Sequence, residues 1–179
     1  LPRDHRFIQV ALGVFKAEGI LLPLDLTYPA SRLRNILAHS QTRFIFALPP
    51  YPFELLPQRA CFLDLETPSS ILPSQVDRTQ AVTPAGGYLL YTSGTTGLPK
   101  GIRHGLAGLA NAVQDSCERF SLGPQDRILQ VSPLGYDVSL GDWGACLWSR
   151  ASLVFAPEAA VRDPQALMSF LITSRATAI

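Results

Sequence analysis

The 179-residue sequence has little net charge, few cysteines and no long apolar run, and each shortage excludes a class of protein. Its formal net charge is +1, which argues against a basic surface for nucleic acid or an anionic membrane. Cys61, Cys117 and Cys146 are far apart, so a disulfide framework or zinc site is not expected and a reduced, cytoplasmic setting is favoured. No apolar stretch reaches the length of a membrane span.

Lysine is scarce as well, because only Lys16 and Lys100 occur among the 15 basic residues. Lys100 stands near the end of YTSGTTGLPKG, residues 91–101, a stretch with few apolar side chains to bury. Glycines expose backbone N–H groups, and small hydroxyls with one ammonium group suit phosphate oxygens. The stretch fits neither the Walker pattern nor G-x-G-x-x-G. These residues alone leave a phosphate-binding loop and an ordinary surface turn equally open.

The rest of the sequence alternates predicted strands with predicted helices, which indicates an α/β fold with a layered sheet flanked by helices. The proline-rich segment 49–84 is expected to be irregular apart from one short strand. Helices are predicted over residues 5–17, 28–40, 105–120, 139–148 and 162–171, and strands over 20–25, 43–48, 61–65, 87–93, 127–133, 152–156 and 176–179.

Helical spacing also predicts helix starts and buried faces. Asp163 is expected to cap the last helix, with Pro164 at its first position. Ser139 and Asp142 have the spacing of a capping box at the start of the fourth helix. The predicted buried faces are Ile8, Ala11, Leu12 and Phe15 in the first helix, Leu33, Ile36 and Leu37 in the second, and Leu106, Leu109, Val113, Cys117 and Phe120 in the third.

Three stretches resemble the adenylate-forming enzymes, and within them the amino-acid adenylation domains of nonribosomal peptide synthetases. YTSGTTGLPKG is similar to the phosphate-binding signature of that superfamily. Residues 12–40 resemble K-A-G-x-x-Y-V-P-L-D-P-x-Y-P-x-x-R-L, and YDVSLGDW, residues 136–143, resembles the pocket-lining F-D-x-S-x-x-E. The resemblance covers nearly all of residues 1–179 and implies a partial N-terminal lobe, with the front of that lobe and the C-terminal part outside the chain.

This resemblance implies that ATP and Mg²⁺ activate an amino acid as its adenylate, which then passes to the phosphopantetheine thiol of a carrier-protein domain among neighbouring synthetase domains. Asp137 is expected to pair with the α-ammonium group of the substrate, and Val138 and Gly141 match positions that line the side-chain pocket. The family's catalytic lysine lies outside this chain, and no metal ligand is assigned within it. The residues expected to hold the β- and γ-phosphates are Thr92, Ser93, Gly94, Thr95, Thr96, Gly97 and Lys100.

Two alternatives stay open. One is an enzyme like the acyl- or aryl-acid:CoA ligases, whose substrates lack the amine and need no partner such as Asp137. The other is a truncated, non-catalytic remnant or scaffold module. Tyr136 and Asp142 replace the usual phenylalanine and glutamate of the pocket segment. By itself the chain is expected to be inactive in adenylation and poorly soluble, because a severed sheet exposes unpaired edges and apolar faces.

Overall fold

The computed structural model describes residues 1–25, 27–48, 61–64, 86–93 and 99–179, with the backbone alone at 61–64 and 93. The chain divides into two compact units, Leu1–Arg103 and His104–Ile179. Each unit combines helices with short strands. The prediction of an α/β fold with flanking helices is confirmed.

In the first unit, strand β4 holds the central position in a small sheet. It lies between β1 and β5 and pairs with β1 in parallel, with Ile20 opposite Gly87. Strands β2 and β3 form a separate parallel pair. The elements are α1 (His5–Lys16), β1 (Ile20–Leu21), α2 (Ala30–Ser40), β2 (Phe44–Ala47), β3 (Cys61–Asp64), β4 (Gly87–Ser93) and β5 (Pro99–Gly105), whose last two residues belong to the second unit.

The two helices of the first unit agree unequally with their predicted faces. Helix α1 buries Phe7 and Ala11, whereas Leu12 is 41% exposed, so the predicted face is wrong at that residue. A helix that is apolar over much of its girth offers more than one face, and packing selects one of them. The prediction for α2 is confirmed, since its buried residues are Leu33, Ile36 and Leu37.

In the second unit, β6 pairs in parallel with β7, and Ala178 makes a parallel bridge to Ile128. The strand predicted at 176–179 is thus reduced to a single bridge. Helices α3 and α4 pack together over a core formed by Val113, Cys117, Ile128 and Ala145. The elements are α3 (Leu106–Arg119), β6 (Arg127–Gln130), α4 (Asp137–Ser149), β7 (Ser152–Phe155), α5 (Glu158–Val161) and α6 (Pro164–Ser174).

The ends of two helices test predictions made from local sequence. The Asp163 carboxylate accepts a hydrogen bond from the Gln165 N–H at 2.9 Å and Pro164 begins α6, which confirms the predicted cap. Phe120 is wrongly predicted as buried: it follows the last residue of α3 and is 68% exposed. The predicted irregular segment 49–84 lies outside the described residues, except for the expected strand β3.

None of the helices in the described ranges combines the length and hydropathy that crossing a membrane requires.

Candidate functional site

Three of the seven candidate phosphate-contacting residues lie at the ends of two neighbouring strands. Thr92 and Ser93 end β4, and Lys100 is the second residue of β5. The side chains of Thr92 and Lys100 are exposed. The motif YTSGTTGLPKG predicts Lys100 in a loop, but the residue belongs to strand β5. Pairing of β5 with β4 therefore restrains the backbone that carries its ammonium group. Gly94, Thr95, Thr96 and Gly97 lie outside the described residues.

Directly before Thr92, the buried ring of Tyr91 packs against β5. A Cβ at Gly101 would lie 3.0 Å from Tyr91 Cζ and 3.2 Å from its Oη. A hydrogen bond of 2.7 Å joins Tyr91 Oη to His39 Nδ1 on α2, and the two rings meet edge to face. Burial raises the pKa of Tyr91, which keeps its hydroxyl neutral. Sequence reasoning missed this contact, because nothing local relates residues 39 and 91.

Three candidate substrate residues open helix α4. Asp137 is its first residue, and its exposed carboxylate accepts a hydrogen bond from the Val138 N–H at 3.0 Å. Val138 is 58% exposed, and a Cβ at Gly141 would meet nothing within 4 Å. Residues three and four apart are neighbours on a helix surface, so the three positions share one side of α4. That side carries a negative charge and leaves open space beside Gly141.

Ser139 has a different role from the one predicted. Helix α4 begins at Asp137, so Ser139 lies inside the first turn and is fully buried. Its hydroxyl donates to the carbonyl oxygens of Tyr136 (2.8 Å) and Leu134 (3.3 Å). The predicted capping box is wrong, because a capping hydroxyl would accept from a backbone N–H and this one donates to carbonyls. Ser139 instead fixes the connection that leads into Asp137.

Gln130 is a second buried polar residue near this connection, and sequence reasoning missed it. It ends β6 with no exposed surface, and its side-chain amide donates to the Ser132 carbonyl. Its Oε1 has no hydrogen-bond partner among the described residues. In the sequence, the indication that Gln130 is buried was its position directly after the apolar residues of RILQVSP.

Asp142 is an acidic residue of α4 that is largely removed from water. Burial raises the pKa of its carboxyl group to about 6, because removal from water disfavours the charged form. It stands one residue beyond Gly141, on a helix whose buried residues include Leu140 and Trp143. The shift therefore follows from packing. Across the residues that the structure describes, no group of three or more His, Cys, Asp or Glu side chains could hold a metal ion.

Solved structures with this arrangement of short parallel strands and flanking helices include adenylation domains of nonribosomal peptide synthetases. The solved structure of the nonribosomal peptide synthetase FmoA3, described as bound to alpha-methyl-L-serine-AMP, matches 94% of this chain with a TM-score of 0.74 and 27% identity. The match spans 19% of the FmoA3 chain. The crystal structure of IdnL1 shares the fold over 95% of this chain and 35% of its own, with a TM-score of 0.77. The fold is that of the N-terminal lobe of adenylation domains.

Sequence comparison assigns the family. The model for AMP-binding enzymes matches residues 1–179, and the chain therefore belongs to the AMP-binding enzyme family. The dimodular nonribosomal peptide synthase of Bacillus subtilis (strain 168) is 32% identical over 177 residues, which are 96% of this chain and 7% of that protein. The chondramide synthase cmdD of Chondromyces crocatus is 33% identical over 174 residues, 96% of this chain and 4% of its own length. The chain thus spans a small part of each relative.

Proposed function

We propose that the complete protein activates an amino acid with ATP as an aminoacyl-adenylate and passes it to the phosphopantetheine thiol of a carrier-protein domain. The observation that carries this proposal is the exposed Asp137 carboxylate at the start of α4, with open space beside Gly141. A carboxylate attracts an ammonium group, and the contact strengthens once a bound substrate excludes water. Support also comes from FmoA3, a relative described with an aminoacyl-AMP bound.

The nucleotide would be held by the residues around the junction of β4 and β5. Lys100 and Thr92 bring an exposed ammonium group and an exposed hydroxyl on two neighbouring strands, which suits a polyphosphate. Mg²⁺ is a hard cation that binds phosphate oxygens, and it would accompany ATP without a dedicated cage of protein ligands. The proposed phosphate contacts are those of Thr92, Ser93, Gly94, Thr95, Thr96, Gly97 and Lys100.

In the proposed reaction, a carboxylate oxygen of the amino acid attacks the α-phosphorus of ATP. The new bond joins that oxygen to phosphorus, and the bond to the bridging oxygen breaks, so pyrophosphate leaves with its electron pair. Lys100 would neutralise charge on the departing phosphates. Asp137 would hold the ammonium group, and Val138 and Gly141 would border the substrate side chain.

Amino-acid-dependent exchange of labelled pyrophosphate into ATP, measured with the complete protein, tests the proposal. Asp137→Asn is expected to lower kcat/KM for the amino acid by about 10- to 150-fold, since a charge-assisted contact from which the bound substrate excludes water contributes about 1.5–3 kcal/mol. KM for ATP should change less than about twofold. Glu158→Gln removes another acidic group from the first turn of a helix and is the matched control.

Loss of exchange in Asp137→Asn, with Glu158→Gln unaffected, supports an amino-acid substrate. Exchange driven by acids that lack an amine, and insensitive to Asp137→Asn, would identify an acyl- or aryl-acid ligase instead. If no carboxylic acid promotes exchange and ATP does not bind, the protein is not an adenylating enzyme.

A further inference from the structure

We propose that His39 and Tyr91 act as a positioning pair that sets the spacing between Thr92 and Lys100. Neither residue of the pair is proposed to touch the nucleotide. The inference rests on the proposed function and deepens it, because it names the contacts that hold the phosphate-contacting side chains in place. It depends only on described residues of the first unit.

The ring of Tyr91 joins the two strands next to both side chains. Tyr91 directly precedes Thr92 on β4, and Gly101 directly follows Lys100 on β5. The space that a Cβ of residue 101 would occupy is 3.0 Å from Tyr91 Cζ, closer than real Cβ contacts normally lie. Glycine at this position therefore lets the ring lie against the backbone of β5. If the ring moved, the backbone of β4 at Thr92 and the backbone of β5 at Lys100 would move with it.

His39 fixes the far end of the same ring. Its Nδ1 is 2.7 Å from Tyr91 Oη, across 52 residues of sequence, and the ring centroids are 5.7 Å apart at an interplanar angle of 88°. His39 lies near the end of α2, a helix anchored by Leu33, Ile36 and Leu37, which are 1–4% exposed. The hydrogen bond thus connects the strand end at Thr92 to a helix that the core holds in place.

The expected effect is selective. A hydrogen bond of this kind contributes about 0.5–1.5 kcal/mol, which converts to a 2- to 13-fold change in an equilibrium constant. Tyr91→Phe removes the hydroxyl and keeps the ring, and His39→Ala removes the partner. Each is expected to weaken ATP binding by about 3- to 10-fold, while KM for the amino acid stays within about twofold. His39→Gln keeps an amide that can bond to Tyr91 Oη and should recover part of the loss.

The experiment uses the complete protein and reads ATP affinity by calorimetric titration, with KM values for ATP and amino acid from pyrophosphate exchange. Tyr88→Phe removes the hydroxyl of another buried tyrosine from the same strand, three residues further from Thr92. Asn35→Ala replaces an exposed side chain on the same helix as His39. Both controls should bind ATP as the unmodified protein does. Gly101→Ala adds a methyl group against the Tyr91 ring and should weaken ATP binding through the same contact.

The pair has no positioning role if Tyr91→Phe, His39→Ala and Gly101→Ala all bind ATP like the unmodified protein. A loss of affinity that is equal for ATP and for the amino acid would show a general structural defect and would also overturn the positioning role. An equal loss of ATP affinity in the Tyr88→Phe control would do the same. These outcomes are distinct from failure of the proposed function, in which the unmodified protein itself would neither bind ATP nor exchange pyrophosphate.

Discussion

Gly144 of α4 lies so close to α3 that a Cβ at this position would come within 2.7 Å of Val113 Cγ2. Val113 is 5% exposed and belongs to the core of the second unit. Its β-branched side chain has little rotamer freedom in a helix and cannot easily move aside. The close packing of α3 on α4 therefore depends on glycine at 144, and this packing supports the helix that carries Asp137.

Gly144→Ala should destabilise the contact between α3 and α4 by about 1–3 kcal/mol, the usual range for overpacking, although alanine favours a helix over glycine. Amide hydrogen exchange of α3 and α4 in the complete protein measures the free energy of local opening. Gly108→Ala on α3, where a Cβ meets nothing within 4 Å, is the control and should slow exchange. Val113→Ala should partly relieve the defect of Gly144→Ala. Slower exchange in Gly144→Ala than in the unmodified protein would contradict the packing argument.

Asp142 gives the second unit a pH-dependent stability. Its folded pKa of about 6 lies above the ordinary value of 3.8, so the folded state holds the proton more tightly. Protonation of the Asp142 carboxyl group therefore stabilises the folded state. This contribution is fully present below about pH 4 and is lost as the pH rises through 6. Asp142→Asn should raise stability by about 1 kcal/mol at pH 8, a figure reduced for the partial exposure of the group.

Melting temperatures of the complete protein between pH 4 and pH 8 test this prediction. The increase in melting temperature that Asp142→Asn gives over the unmodified protein should shrink steadily toward pH 4. Asp115→Asn changes an exposed carboxylate on α3 and serves as the control, with no comparable trend expected. An advantage that is the same at every pH would show that burial of the Asp142 charge is not its cause.

Lys100 offers the direct test of phosphate binding. Lys100→Ala should raise KM for ATP by about tenfold in pyrophosphate exchange, because a charge-assisted contact to phosphate contributes about 1.5–3 kcal/mol where water is excluded and less where it is not. The melting temperature should hardly change, since the side chain is exposed. Lys16→Ala at the exposed end of α1 is the control, as it removes the chain's other lysine. Equal ATP kinetics in both variants would exclude a nucleotide contact by Lys100.

Local sequence patterns determined most of the secondary structure. The apolar spacing in residues 28–40 was enough to predict the buried face of α2, and Asp163 with Pro164 was enough to predict the start of α6. These rules work because caps and helical faces depend on neighbours within four residues. The ordered motif YTSGTTGLPKG likewise led to the family, since it depends on residue order alone.

Only the tertiary structure decided the features that join distant parts of the chain. It placed Lys100 in strand β5, began α4 at Asp137 instead of Ser139, and left Leu12 and Phe120 exposed. The contacts of Tyr91 with His39 and of Gly144 with Val113 likewise join residues 52 and 31 positions apart in the sequence. The physical reason is that a sequence pattern specifies which residues prefer burial, whereas packing between elements determines which of them are buried and against what.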